Sequence, residues 1–157
     1  MCQFLSALVL RNGDILHHPM LDSHADLVTY FKLPDENEHI QHFAKVELTP
    51  HADDWLLPDR WDFRVDEDVE PIWWRDVAES AEASLRRLAQ RMVLTECTVP
   101  LLCDGCWILG GTVIVTTVKG AARIAHMQDS ASISNVRGSA SIRDVGGSAS
   151  IRDVGGS

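Results

Sequence analysis

The sequence predicts an α+β N-terminal domain, residues 1–101, capping a C-terminal parallel β-solenoid built of nine-residue repeats, residues 102–157. Three observations lead there. The nine letters of residues 138–146, Gly-Ser-Ala-Ser-Ile-Arg-Asp-Val-Gly, recur unchanged over residues 147–155. Ahead of the tail, one stretch alternates with a period of two and another carries a helical stripe, so both element types are expected there. Finally, the charge is uneven: residues 1–118 hold 9 Lys+Arg against 20 Asp+Glu, and the remainder holds 5 against 3.

The repeat extends back beyond the two identical copies. Stepping by nine, its first position holds Gly111, Gly120, Asp129, Gly138 and Gly147. The third holds Val113, Ala122, Ala131, Ala140 and Ala149, and the fifth holds Val115, Ile124, Ile133, Ile142 and Ile151. The eighth holds Val118, Met127, Val136, Val145 and Val154. A fixed period of this kind sets the fold before any local reading does. Positions three and five are two apart, so in a strand they share a face, with Ser and Arg turned the other way. Gly at the junction supplies a bend. One such strand buries little by itself, but stacked copies build a continuous thin core. Two repeats per coil leave room for that core. The first rung is expected, irregularly, at residues 102–110. No capping segment is expected after the last repeat. The calcium-binding nonapeptide needs Gly and Asp where this chain has Ala149 and Ile151, so calcium is not expected.

The front of the chain reads in order. Residues 2–10 are rich in strand formers, and Asn12-Gly13 is a strong hairpin signal ahead of a return strand at residues 15–17. Ser23, with Asp26 three residues on, opens a helix that Pro34 closes. Residues 43–49 alternate as a strand, and residues 62–65 form a further short one. Pro71 suits a helix start, and Trp74, Val77, Ala78, Ala81, Leu85, Leu88 and Met92 make one stripe to about residue 93. Glu67, Asp68 and Glu70 before it, with Arg86, Arg87 and Arg91 near its end, suit the helix dipole.

The net charge of −9 and the lack of a basic footprint argue against nucleic acid as a partner. No apolar run approaches the roughly 20 residues of a membrane span. Residues 1–10 lack the basic start of a secretory signal, so a cytoplasmic setting with reduced thiols is expected. No P-loop, GxGxxG, GxSxG or HExxH is present, and no cofactor is expected.

Cys2 is the one catalytic candidate, as an N-terminal nucleophile freed by removal of Met1. Amidotransferases of that kind begin Met-Cys-Gly, whereas residue three here is Gln3; a buried strand cysteine is the preferred reading. Cys103 and Cys106 form a Cys-x-x-Cys that, with Cys97, is an alternative metal set, although structural thiols are favoured. Of the histidines, His17, His18 and His24 could gather near the first hairpin, as a surface cluster. Arg143, Asp144, Arg152 and Asp153 recur as surface ladders, and Ser148, Ser150, Arg152 and Asp153 mark an assembly edge on the last strand.

The opening Met-Cys-Gln-Phe-Leu-Ser-Ala-Leu-Val-Leu, the segment Ala-Lys-Val-Glu-Leu-Thr-Pro and the Trp-Ile-Leu-Gly-Gly leading into the tail resemble a group of small phage and bacterial proteins. In that group an N-terminal domain carries variable Ser-Ala-x-Ile-type repeats. The resemblance implies architecture and a viral or mobile-element origin, and it implies no activity. The reading is therefore a non-enzymatic structural or binding protein that forms a homo-oligomer, or takes a protein partner, through its solenoid end. An N-terminal-cysteine hydrolase or amidotransferase and an acidic DNA-mimic inhibitor stand as alternatives.

Overall fold

A computed structural model describes residues 4–34 and 41–155. The chain divides into two compact units, Met1–Gln90 and Arg91–Ser157.

The first unit is an antiparallel sheet with two helices. Strand β1 (Leu5–Leu10) is apolar and buried along nearly its whole length. Asn12 and Gly13 turn the chain as expected: Gly13 takes φ 87°, and the Asn12 side chain accepts from the Asp14 backbone N–H. Strand β2 (Ile15–Leu16) then pairs back on β1. Helix α1 (His24–Tyr30) is capped by Ser23, whose side chain accepts from the Asp26 N–H. Its Leu27 packs against Leu8 and Phe43. Strand β3 (Phe43–Thr49) lies between β1 and β4 (Asp62–Val65), giving the order β2-β1-β3-β4.

Helix α2 (Trp74–Met92) begins three residues after Pro71, because Pro71–Trp73 forms a turn in which the Trp74 N–H bonds the Pro71 carbonyl. Of the expected stripe, Trp74, Ala81, Leu85 and Met92 are buried and Val77, Ala78 and Leu88 half-buried, and Ala89, outside that expectation, is buried as well. Arg86 pairs with Glu82 one turn earlier and donates to the carbonyls of Pro58 and Trp61, which anchors the preceding loop to the helix. Among the described residues no helix is long and apolar enough to cross a membrane.

The second unit is a parallel β-solenoid of about four turns. Its strands are β5 (Val93–Leu94), β6 (Thr98–Leu102), β7 (Cys106–Leu109), β8 (Ile114–Val118), β9 (Arg123–Met127), β10 (Ser132–Arg137), β11 (Ser141–Val145) and β12 (Ser150–Gly155). They form two parallel sheets, β12-β10-β8-β6 and β11-β9-β7-β5. Ile124 pairs in register with Ile142, and Ile133 with Ile151, so one coil takes about 18 residues. The first coil is shorter, with Thr98 opposite Ile114 and Val93 opposite Ile108. Strand pairing thus starts at β5, ahead of Leu102, where the sequence period becomes readable. Pro100 lacks an N–H for the ladder and sits on β6, the edge of its sheet, where that loss is tolerated.

Side chains at repeat positions three, five and eight fill the interior: Val113, Ala122 and Ala131; Val115, Ile124 and Ile133; Val118, Met127 and Val136. The bends require a left-handed backbone. Gly111, Gly120, Gly138 and Gly147 all have φ between 55° and 63°. A Cβ at Gly120 would stand 2.7 Å from the Cys103 carbonyl oxygen. Asp129 takes the same conformation (φ 59°) without being glycine, and its carboxylate accepts from the Gly111 N–H of the previous coil at 2.9 Å. That bond between coils helps offset the strain of a non-glycine left-handed residue.

Candidate functional site

The C-terminal end of the solenoid combines two incomplete surfaces. Every inner strand has a neighbour on each side, but among the described residues β12 pairs with β10 alone and β11 with β9 alone. Two parallel edges at this end thus have no further neighbour among the described residues, and an edge left unpaired recruits other strands. The core also opens there. Val118, Val136 and Val154 occupy equivalent places on successive coils and are 0%, 5% and 72% exposed. On the other sheet Met127 is 0% and Val145 49% exposed. Ile142 and Ile151 are only partly buried, whereas Ile124 and Ile133 are sealed. The last described coil thus presents apolar side chains beside backbone that has no further strand partner among the described residues.

The proposed edge residues frame this surface. Ser148 lies in the final bend; Ser150, Arg152 and Asp153 lie on β12, and all four are exposed. Arg143 and Asp144 lie on β11, so the two Arg-Asp pairs fall on different sheets. Along each sheet the in-register neighbours are not like charges: Asp144 lies opposite His126, and Asp153 opposite Asn135. Asp153 also pairs with Arg137 at 2.9 Å, with both side chains about half exposed, an ion pair worth about 0–1 kcal/mol.

Cys97 and Cys103 are exposed and Cys106 is buried, none of them in a disulfide. Gly105, at φ 79°, turns the Cys-x-x-Cys between β6 and β7. Cys2 lies outside the described residues. The three histidines near the first hairpin go separate ways. His17 Nδ1 faces the Ser6 carbonyl at 3.2 Å; burial, and secondarily the charge of His18, hold its pKa below the usual value against the effect of that bond. The His18 ring packs on Tyr30 at 4.6 Å.

His24 enters a group the sequence did not single out. The start of α1 places its ring over the face of β3 that carries Glu47. Ligand-capable atoms of His24, Glu47 and Asp66 all lie within 4.8 Å of one another. His24 Nε2 is 3.1 Å from the Val46 carbonyl, so it donates there, and Nδ1 is left facing Asp66 Oδ2 at 3.3 Å. The other Asp66 oxygen accepts from Arg64 at 3.1 Å. That bond, helped by the neighbouring His24, Arg64 and Lys45, holds the Asp66 carboxyl below the ordinary range against the opposing effect of burial. Lys45 is matched by Glu67 at 3.5 Å. Glu47 is 5% exposed, and among the described residues no hydrogen bond or ion pair ends on its carboxylate. No motif joins positions 24, 47 and 66. The one available signal was an acidic residue on the face of β3 that also carries Phe43, which packs under α1.

Comparison with family models, with curated proteins and with solved structures finds no match for this chain.

Proposed function

We propose that the protein is a non-enzymatic assembly protein whose C-terminal coil is a joint for a second copy of itself. The observation that carries this reading is the stepwise opening of the core, from 0% to 72% exposure along Val118, Val136 and Val154, beside two strand edges with no further partner among the described residues. A second copy suits the joint because residues 138–146 and 147–155 are identical, so a coil that fits one also matches its neighbour. In this reading each 18-residue coil is made of two nine-residue units, and the tail descends from a variable repeat of viral or mobile-element origin. Tail-to-tail pairing about a two-fold axis is favoured over head-to-tail stacking. The first coil is shorter, its β5 spans only two residues, and Pro100 interrupts the donors of β6, so the two ends are unlike. A two-fold contact closes, whereas a head-to-tail contact would propagate.

Sedimentation over a concentration series tests the reading. Dimers are expected at micromolar concentration for the full chain, and monomers for a Val145→Lys plus Val154→Lys variant that retains its circular dichroism spectrum. A parent chain that stays monomeric at high micromolar concentration with the tail folded overturns it.

A further inference from the structure

We propose that His24, Glu47 and Asp66 form a divalent-metal site in the N-terminal unit, with zinc the ion whose chemistry fits. One imidazole nitrogen and two carboxylates are an accepted donor set for zinc, with water completing the coordination. The His24 ring is already posed as metal-bound histidines are. Its Nε2 gives its proton to the Val46 carbonyl at 3.1 Å, which leaves the Nδ1 lone pair for the ion. Two ligands at about 2.0–2.2 Å from a tetrahedral ion stand roughly 3.4 Å apart, and Nδ1 and the Asp66 oxygen are 3.3 Å apart. Asp66 engages Arg64 through its other oxygen, so that pair need not break.

Glu47 is the independent observation. The residue is 5% exposed with no hydrogen bond or ion pair among the described residues, so only residual contact with solvent meets its carboxylate oxygens. Its in-register neighbours are Ser6 on β1 and Arg64 on β4. The Ser6 hydroxyl donates to the Asp22 carbonyl, and the Arg64 guanidinium engages Asp66. Neither bonds Glu47 in this arrangement, and a cation between Glu47, His24 and Asp66 would engage all three. Asp66 itself lines an open polar groove, together with Lys45, Arg64, Glu67 and Asp68. Both cations lining it are engaged, Lys45 by Glu67 and Arg64 by Asp66.

The test uses the full chain carrying Cys2→Ser, Cys97→Ser and Cys103→Ser to remove adventitious thiolate binding, with zinc ion alone as the probe. Isothermal titration is expected to give one site, weakened at least about 10-fold by Glu47→Gln or Asp66→Asn, both near-isosteric. Melting gives a second readout that a purely structural role would not move. In chelator, Glu47→Gln should melt at or above the parent, because the exchange is near-isosteric and breaks no hydrogen bond or ion pair among the described residues. In zinc the order should invert, because only the parent gains the ion. Long-range nitrogen NMR of His24 should show the Nδ1 resonance move when zinc is added while Nε2 keeps its proton. Absence of zinc uptake, uptake indifferent to Glu47→Gln, or the same order of melting in both conditions overturns the proposal.

Discussion

Val118, Val136 and Val154 allow one substitution to be placed three times in the same chemical setting at different depths. They are in register on β8, β10 and β12, and their exposure is 0%, 5% and 72%. Truncation to alanine removes two methyl-sized groups, about 1.6 kcal/mol of transfer free energy at about 0.8 kcal/mol each. At the two sealed sites a residual cavity adds to this, for a total of roughly 2–3 kcal/mol. At Val154 only about a quarter of the residue is out of water, so Val154→Ala should cost about 0.4 kcal/mol in the monomer. Association changes that last value alone. If a second copy covers Val154, the cost of Val154→Ala should rise toward that of Val136→Ala as protein concentration increases, because the variant weakens the folded dimer. Urea unfolding followed by far-ultraviolet circular dichroism, at nanomolar-to-low-micromolar and at high micromolar protein, reads all three. Equal costs for Val118→Ala and Val154→Ala at the low concentration would refute the reasoning, because the last coil would then be covered within the monomer.

Two further predictions concern local chemistry. Gly120→Ala and Gly138→Ala share a φ of 63°, but the new Cβ meets the Cys103 carbonyl at 2.7 Å in the first and only the Gly120 nitrogen at 3.7 Å in the second; Gly138→Ala should therefore cost about 1–2 kcal/mol and Gly120→Ala clearly more, as read by urea midpoints. Burial holds the His17 pKa below its usual 6.5, so the unfolded chain takes up the proton first; that contribution to stability is present above 6.5 and is lost as pH falls below it. The melting temperature of the parent should accordingly drop more than that of His17→Gln between about pH 7.5 and pH 5.5, and parallel curves would contradict this.

Much of the solenoid was legible because its residues satisfy a strict demand. A small inward residue two places before Ile or Val, with a left-handed bend that glycine adopts most readily, suits repeated stacking, so the same letters return at the same spacing. The first coil escaped because its spacing is different: Thr98 and Val93 are nearer in sequence to their partners than later strands are, and Pro100 argues against a strand until β6 is known to be an edge. In the front unit the strand at Phe43–Thr49 and the helix of the Trp74–Met92 stripe were readable from their periods. The burial of Glu47 was not. Alternation places it on one face of β3 with Phe43, Lys45 and Thr49 without saying which face is inside, and the docking of α1 through Leu27 makes that face a second interior. The meeting of His24, Glu47 and Asp66 is a tertiary event between three separate elements, and no local pattern encodes it.

The coil of about 18 residues gives the tail an odd–even character. Residues 138–146 and 147–155 are letter for letter the same, yet one contributes β11 to the first sheet and the other β12 to the second. Duplication or loss of a single nine-letter block would carry every later residue across to the opposite sheet, leaving the interior chemistry unchanged but rotating the final strand to the other side of the column. Two blocks would restore the original side and only lengthen the column. Variants differing by one block would therefore offer the same sequence on a different flank, so that the length of the tail sets the direction in which its last strand faces.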